Sequence, residues 1–381
     1  TAMEGRPCKP WGDPADTGAS GRVRSRAAAL VPDLLLGVLR ALPITDFLAA
    51  GTPVIDVRSP GEFARGHIPG ARSVPLFDDA ERAVVGTLYK RTGRDAAVLE
   101  GLRTVGPKLA AIVEQARAIA PGGRIAVHCW RGGERSGSVA WLLDKAGFTE
   151  ATTLKGGYKA FRNHVLGSFS EVPELLVLGG FTGTGKTETL QYLEELGEQV
   201  IDLERLAHHK GSSFGALGEA PQPTQEHFEN TLWDALRRRD PDRPLWVEDE
   251  SHMIGRNKLP DAFFAALRAA PLFFADMSLE DRVDRLVKDY GTFPVDQLGE
   301  AVQRIARRIG PQHAKAAMDA LAMGDLRTVA RITLGYYDKT YAHGLAKRDP
   351  ARVTTVPATA TDLRALAQRL KDHAAATAAH R

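Results

Sequence analysis

The sequence has little cysteine: Cys8 and Cys129 are the two in 381 residues. That excludes a disulfide-stapled scaffold and argues against bound zinc or an iron–sulfur cluster. It suits a reducing compartment, so a cytoplasmic protein is expected. An excess of one charge is lacking too, with 50 Lys and Arg against 47 Asp and Glu, a net charge of +3. No global field announces a polyanionic partner, although a local basic surface remains open. Nor is there a long uninterrupted apolar run. Residues 27–42 are largely apolar, but Pro32, Asp33 and Arg40 interrupt them. The run is too short to span a bilayer. No signal-peptide pattern is evident, and no membrane partner is expected. What is present is an ordinary soluble composition, 43% apolar and 25% charged. The length exceeds what one core normally serves, so two or three domains are expected.

The most informative stretch is Ala126-Val127-His128-Cys129-Trp130-Arg131-Gly132-Gly133-Glu134-Arg135-Ser136-Gly137. Residues 124–127 read as a buried strand and residues 138–145 as a helix, so a thiol sits in the tight turn between them. Successive N–H groups in such a turn form an anion nest, and the helix N-terminus adds partial positive charge. Arg131 and Arg135 add full charges, while Gly132, Gly133 and Ser136 complete the candidate anion loop. This setting favours thiolate, which makes Cys129 the candidate nucleophile rather than an inert core cysteine.

Upstream, residues 44–48 start a short helix, residues 53–58 form an apolar strand closing on Asp56 and Arg58, and residues 73–76 return as another strand. Strands alternating with helices indicate an α/β domain with a largely parallel sheet, whose ligands gather at the strands' carboxyl ends. Asp56 and Arg58 read as a structural ion pair and His67 as a local hydrogen-bonding residue. Residues 79–97 are basic and helix-compatible, and residues 99–120 read as one long helix.

Asp56-Val57-Arg58, Glu62-Phe63, the run from Gly66 to Ala71 and the Cys129 loop together resemble a rhodanese domain. The resemblance implies a thiol that carries sulfur or selenium as a persulfide or perselenide. Five residues separate Cys129 from Arg135-Ser136, a spacing that also fits cysteine phosphatases and is longer than most rhodanese loops. A wider nest suits a tetrahedral oxyanion. Glu134, expected inside the loop, opposes a phosphate dianion there.

After a linker at Glu171-Val172-Pro173, the apolar strand of residues 175–178 leads into Gly180-Phe181-Thr182-Gly183-Thr184-Gly185-Lys186-Thr187 and then a helix. This is the G-x-x-x-x-G-K-T phosphate loop in its required context. The backbone around Gly180, Gly183 and Gly185 cradles phosphates, Lys186 reaches the outer ones, and Thr187 is placed to face Mg²⁺. A second apolar strand, 245–247, ends in Glu248-Asp249-Glu250. Glu248 and Asp249 are candidates to hold Mg²⁺ through water or to orient a nucleophile. His209, Lys210, Ser212 and Ser213 form a loop suited to an anionic substrate. Zinc at the paired histidines is rejected, because adjacent residues rarely ligate one ion and no cysteine is near. Arg282, Arg285 and Lys288 share one helix face, and Arg304, Arg307 and Arg308 the next. Solvated helix surfaces are the ordinary reading, and RNA phosphates the alternative for Arg304, Arg307 and Arg308. Tyr336, Tyr337 and Tyr341 read as core more readily than as base-stacking platforms.

The expected architecture is α/β: a rhodanese-like parallel-sheet domain (41–168) after a poorly defined segment (1–40), then a P-loop domain (173–310), a helical C-terminal region (311–371) and a frayed tail (372–381). The order of the motifs, with the linking blocks at residues 81–90, 156–160, 202–204, 209–215 and 246–251, resembles the tRNA 2-selenouridine synthase family. That resemblance implies a tRNA bearing 2-thiouridine at the wobble position as partner, with selenium replacing its sulfur. It implies selenophosphate and geranyl diphosphate as substrates, the latter alkylating the thiocarbonyl sulfur first. A selenophosphate-supplying enzyme is a further candidate partner. The P-loop is assigned the prenyl diphosphate and Cys129 the selenium. The rival classes are a sulfurtransferase or cysteine phosphatase fused to a nucleotide-binding module, and a kinase or RNA-binding module with a scaffold rhodanese half.

Overall fold

The computed structural model describes residues 40–379; Cys8 and the segment expected to be poorly defined lie outside them up to residue 39. The first sheet is assembled from short apolar segments, each followed by a helix. In order these are β1 (Ala41–Leu42), α1 (Ile44–Ala49), β2 (Val54–Asp56), α2 (Pro60–Arg65), β3 (Arg72–Ser73), α3 (Asp79–Arg91), α4 (Arg94–Val105), α5 (Leu109–Ile119), β4 (Arg124–His128), α6 (Glu134–Lys145), β5 (Glu150–Leu154) and α7 (Gly157–Ser168). Local chemistry sets several starts. Ser59 and Glu62 form a capping box with Pro60 at the first helical position, and Asp78 and Glu81 form another. The sheet is parallel, in the order β1-β5-β4-β2-β3. The single helix expected over 99–120 is divided at Gly106-Pro107 by a 3₁₀ turn, since proline lacks the N–H that a continuous helix needs.

The second sheet begins with β6 (Leu175–Gly179), α8 (Lys186–Glu195), β7 (Gln199–Ile201), α9 (Leu203–Ala207), α10 (Gln225–Arg237) and β8 (Leu245–Glu248). A two-stranded ribbon, β9 (Met253–Ile254) and β10 (Asn257–Lys258), precedes α11 (Asp261–Ala269) and β11 (Leu272–Met277). Then follow α12 (Leu279–Tyr290), α13 (Val295–Ile309), α14 (Pro311–Ala322), α15 (Leu326–Leu345), β12 (Val353–Ala358) and α16 (Leu363–Ala379). The parallel order is β12-β11-β6-β8-β7. β6 and β8 are buried at every residue, as expected of central strands covered on both faces. The C-terminal region is helical and also returns β12 to the sheet edge, so this sheet draws on residues well past 310. Residues 372–379 of the tail expected to fray lie within α16, whose apolar face, Leu363, Leu366, Ala367 and Leu370, packs with Leu190 and Leu193 of α8; the last two residues lie outside the described ones.

One apolar core joins the two sheets. Tyr158, Phe161 and Val165 of α7 pack with Phe228, Leu232 and Trp233 of α10, Phe161 meeting Trp233 edge-on at 5.1 Å between ring centres. Polar bonds frame the contact. Asn230 donates to the Tyr158 hydroxyl (2.8 Å) and the His67 carbonyl (2.9 Å), Tyr158 donates to Glu226 (2.9 Å), and Arg162 pairs with Glu229. No described helix is long and apolar enough to cross a membrane.

Candidate functional site

Cys129 follows the carboxyl end of β4, and α6 opens five residues later. The turn fits because two glycines meet in it. Gly132 and Gly157 both have left-handed φ (65° and 59°), and a Cβ on either would collide with backbone, at the Leu154 carbonyl for Gly132 and the Cys129 carbonyl for Gly157. The start of α7 thereby clamps the loop, with Tyr158 N–H donating to the Cys129 carbonyl (2.8 Å).

The Cys129 side chain is buried, its sulfur 3.2 Å from the Ser136 hydroxyl. Burial pushes its pKa up. The Ser136 hydroxyl, the backbone N–H groups of Ser136 and Gly133, and the Arg135 charge outweigh that and hold it below the ordinary thiol value. Arg135 is held by Glu62 (2.8 Å), the same residue that caps α2. Burial raises the Glu62 pKa, but Arg135, Ser59 N–H and Arg82 lower it further, so this carboxylate is ionised. Glu134, expected to face into the loop, instead points outward to an exposed ion pair with Arg94 (2.6 Å), because it occupies the first position of α6. Arg131 is exposed. Beneath the loop, Arg58 and Asp56 form the expected structural pair, both fully buried, with Arg58 3.7 Å above the Tyr158 ring. His128 is buried beside them. Burial, then the Arg58 charge, outweigh Asp56 and lower its pKa to about 4, so it is neutral.

In the second sheet the G-x-x-x-x-G-K-T turn joins β6 to α8 as its spacing requires, with Lys186 opening the helix and its Nζ 3.3 Å from the Gly180 carbonyl. The expected free hydroxyl of Thr187 instead donates to Glu204 (2.9 Å). Glu204 follows β7 by three residues, and Glu250 follows β8 by two. The two carboxyls meet in front of Lys186. Burial raises both pKa values, the neighbouring acids add to the rise, and Lys186 only partly offsets it. Glu248 is buried behind them, accepting Glu204 N–H (2.7 Å), and burial raises its pKa as well. The shift favours the protonated forms, which repel a phosphate less than carboxylates would.

Asp249 is not available as a magnesium ligand or base. Its carboxylate is shared by Arg348 (2.6 Å), Arg268 (3.2 Å) and the Tyr341 hydroxyl (2.8 Å), deep beneath the sheet's end. Among the described residues no group of three or more His, Cys, Asp or Glu is arranged to hold a metal ion. The Tyr341 ring packs against Phe181 and Phe274, and its hydroxyl also accepts the Gly180 N–H (3.1 Å), tying the loop to α15. Arg282 and Arg285 are likewise not a solvated surface. Arg282 makes two 2.8 Å bonds to Asp338 and a third to the Thr182 carbonyl, and Arg285 pairs with Glu188 (2.9 Å) beside Gly185. The buried Arg282 and half-buried Arg285 guanidiniums brace the phosphate loop from α12.

The loop carrying His209, Lys210, Ser212 and Ser213 lies over the acid pair, since a Cβ at Gly211 would sit 2.8 Å from a Glu250 oxygen. Ser213 bonds Tyr337 (2.6 Å between hydroxyls), Ser212 accepts Phe214 N–H, and Lys210 pairs with Glu219 (3.4 Å). Burial, then Arg304, lowers the His209 pKa. Arg304 reaches the Ser213 carbonyl (3.0 Å), whereas Arg307 and Arg308 are exposed on α13. Beside Thr182 an apolar cavity of about 60 Å³ is lined by Leu286, Val329, Leu334, Tyr290 and Tyr337 among others. The sequence reading missed the pairing of Glu204 with Glu250. Its signal was present, as both stand just beyond the ends of parallel strands.

The chain matches the family described as the tRNA 2-selenouridine synthase AAA domain over residues 173–374, and the rhodanese-like domain family over residues 44–164. The tRNA 2-selenouridine synthase of Shewanella loihica is 37% identical over 354 residues, 82% of this chain and 92% of that protein. The Nitrosomonas europaea protein of the same name is 39% identical over 294 residues, 74% and 72% of the two chains. A solved N-terminal domain of a putative ATP/GTP binding protein from Clostridium difficile is 41% identical, with a TM-score of 0.31, covering 33% of this chain and 98% of that one.

Proposed function

Because this chain belongs to the tRNA 2-selenouridine synthase family, we propose that it converts wobble 2-thiouridine in tRNA to 2-selenouridine by two group transfers. In the first, the thiocarbonyl sulfur attacks C1 of geranyl diphosphate. The C–S bond forms, the C1–O bond breaks, diphosphate leaves, and the uracil N3 proton is lost. In the second, selenide derived from selenophosphate adds to C2 of the base and the C–S bond breaks. Geranylthiolate departs to take a proton from water, and the selenide hydrogen ends on N3. Alkylation comes first because a thiocarbonyl sulfur is a poor leaving group, whereas an alkylated one departs as a thiolate.

The observation that carries this reading is the pairing of two anion-binding loops on sheets that share one core. The P-loop, with Lys186 and backbone around Gly180, Gly183 and Gly185, suits diphosphate. Burial raises the pKa values of Glu204 and Glu250, which favours their protonated forms and weakens their opposition to an incoming anion, and a small apolar cavity beside Thr182 offers a prenyl tail an apolar entry. Cys129, with Gly132, Gly133, Arg135 and Ser136, handles the selenium donor. His209, Lys210, Ser212, Ser213 and Arg304 stand where tRNA phosphate or ribose would approach the P-loop, and exposed Arg307 and Arg308 extend that basic surface. Thr187 donates to Glu204 and one Glu248 oxygen accepts Glu204 N–H, while the other Glu248 oxygen has no hydrogen-bond partner among the described residues; these are the residues that would face Mg²⁺, and no step is routed through it.

The test is mass spectrometry of tRNA nucleosides after incubation with both donors. Cys129→Ser should stop at S-geranyl-2-thiouridine, and Lys186→Ala should leave 2-thiouridine unalkylated. Prenyl transfer by Lys186→Ala with selenium entry abolished would reverse the assignment of the two loops.

A further inference from the structure

We infer that Cys129 attacks the phosphorus of selenophosphate rather than its selenium, so that the loop is a phosphoryl acceptor that releases selenide. This rests on selenophosphate being the donor, as proposed above. Three features of the loop point to phosphorus. Five residues separate Cys129 from Arg135, a spacing longer than most rhodanese loops and suited to a tetrahedral anion. The one carboxylate within the loop sequence, Glu134, is turned outward onto Arg94 and so does not enter the nest. Arg135 is braced by Glu62 through one edge of its guanidinium, as a side chain that must meet an anion in a fixed orientation would be.

Electron balance favours the same atom. In selenophosphate phosphorus is already fully oxidised and selenium fully reduced. Moving selenium onto the Cys129 sulfur as a perselenide requires a two-electron oxidant, or expulsion of phosphite. Attack at phosphorus requires neither. The Cys129 thiolate forms an S–P bond with monoprotonated selenophosphate, the P–Se bond breaks, and its electron pair leaves with selenium, which keeps the donor's own proton and departs as hydrogen selenide anion. That weakly basic leaving group needs no general acid, which accords with a neutral His128 and an ionised Glu62 nearby. Water then attacks phosphorus, the S–P bond breaks, inorganic phosphate forms and the thiol returns. Ser136, 3.2 Å from the sulfur, stabilises the thiolate in both directions.

The experiment uses the full chain with selenophosphate carrying radioactive phosphorus in one sample and radioactive selenium in another, quenched during turnover. The peptide containing Cys129 should carry the phosphorus label and no selenium label. Ser136→Ala should accumulate phosphoryl-cysteine, with dephosphorylation slowed at least about tenfold, because a bond to the leaving thiolate is lost. Selenium without phosphorus on that peptide, or neither label while selenium reaches tRNA, overturns the inference and leaves the functional reading intact. If the wild-type protein and donors deliver no selenium to S-geranyl-2-thiouridine tRNA, the functional reading itself fails. Phosphoryl-cysteine formed in that same sample would still establish the attack at phosphorus.

Discussion

Asp249 stands at a strand end beside a phosphate loop, where an acid usually serves a ligand, yet the structure gives it a different task, and Asp249→Asn tests which is correct. The substitution keeps an acceptor for Tyr341 but removes the charge facing Arg348, which is 2% exposed, and Arg268. Arg348 is otherwise held only by the carbonyls of Leu267, Arg268 and Ala270. Leaving such a buried cation without its counter-charge costs about 3–5 kcal/mol. At about 2 °C per kcal/mol for a body of this size, the melting temperature should fall by about 6–10 °C. Arg348→Met should destabilise by a similar amount, because it strands Asp249 instead. Thermal unfolding followed by circular dichroism reads the loss, and calorimetric titration with inorganic pyrophosphate reads the loop. Lys186→Ala serves as the opposite control, with little change in melting temperature and pyrophosphate binding lost. The reasoning is refuted if Asp249→Asn melts within about 2 °C of wild type yet binds pyrophosphate as poorly as Lys186→Ala.

Three further outcomes are expected. Ser136→Ala removes a bond that lowers the Cys129 pKa, so the pH profile of its alkylation by iodoacetamide should move to higher pH; an unmoved profile would separate Ser136 from thiol activation. Glu250 has a folded-state pKa raised well above the ordinary 4.5, so its contribution to stability is complete below that value and lost as pH rises through the folded one. Glu250→Gln should therefore flatten the decline of melting temperature between pH 5 and 8, and an unchanged slope would place the titration elsewhere. Gly132→Ala should lose selenium transfer while keeping pyrophosphate binding, because its Cβ meets the Leu154 carbonyl and must displace the Cys129 loop; nucleoside analysis and calorimetry on the same sample check both halves.

Much of this site could be read from sequence because its chemistry is local. Cys129 to Ser136 and Gly180 to Thr187 each lie within one strand–turn–helix unit, whose glycines, charges and spacing are contiguous. The parts that escaped are those made by long-range contact. Nothing adjacent to Glu134 announces that Arg94, forty residues earlier, draws it outward. Asp249 looked like a site acid because Arg348 and Tyr341, its partners, come from the other side of the sheet's end. Arg282 and Arg285 have the spacing of a solvated face, and only the approach of α15 and the phosphate loop shows them to be struts, Arg282 buried and Arg285 half-buried. The β12 strand escaped for a related reason: it is an edge strand whose partner, β11, lies some eighty residues before it.

The meeting of α7 with α10 has a consequence for how such a protein can be taken apart. Trp233 and Phe228 are walled by rings from the opposite half, and Tyr158 spends its hydroxyl on Asn230 and Glu226 there. A cut near residue 170 would strip both fragments of this lining at once. Separately produced halves should each expose their side of the seam and should bind one another when mixed. A lineage in which this fusion has settled could hardly trade one catalytic half for a foreign one, since the seam is tailored from both sides.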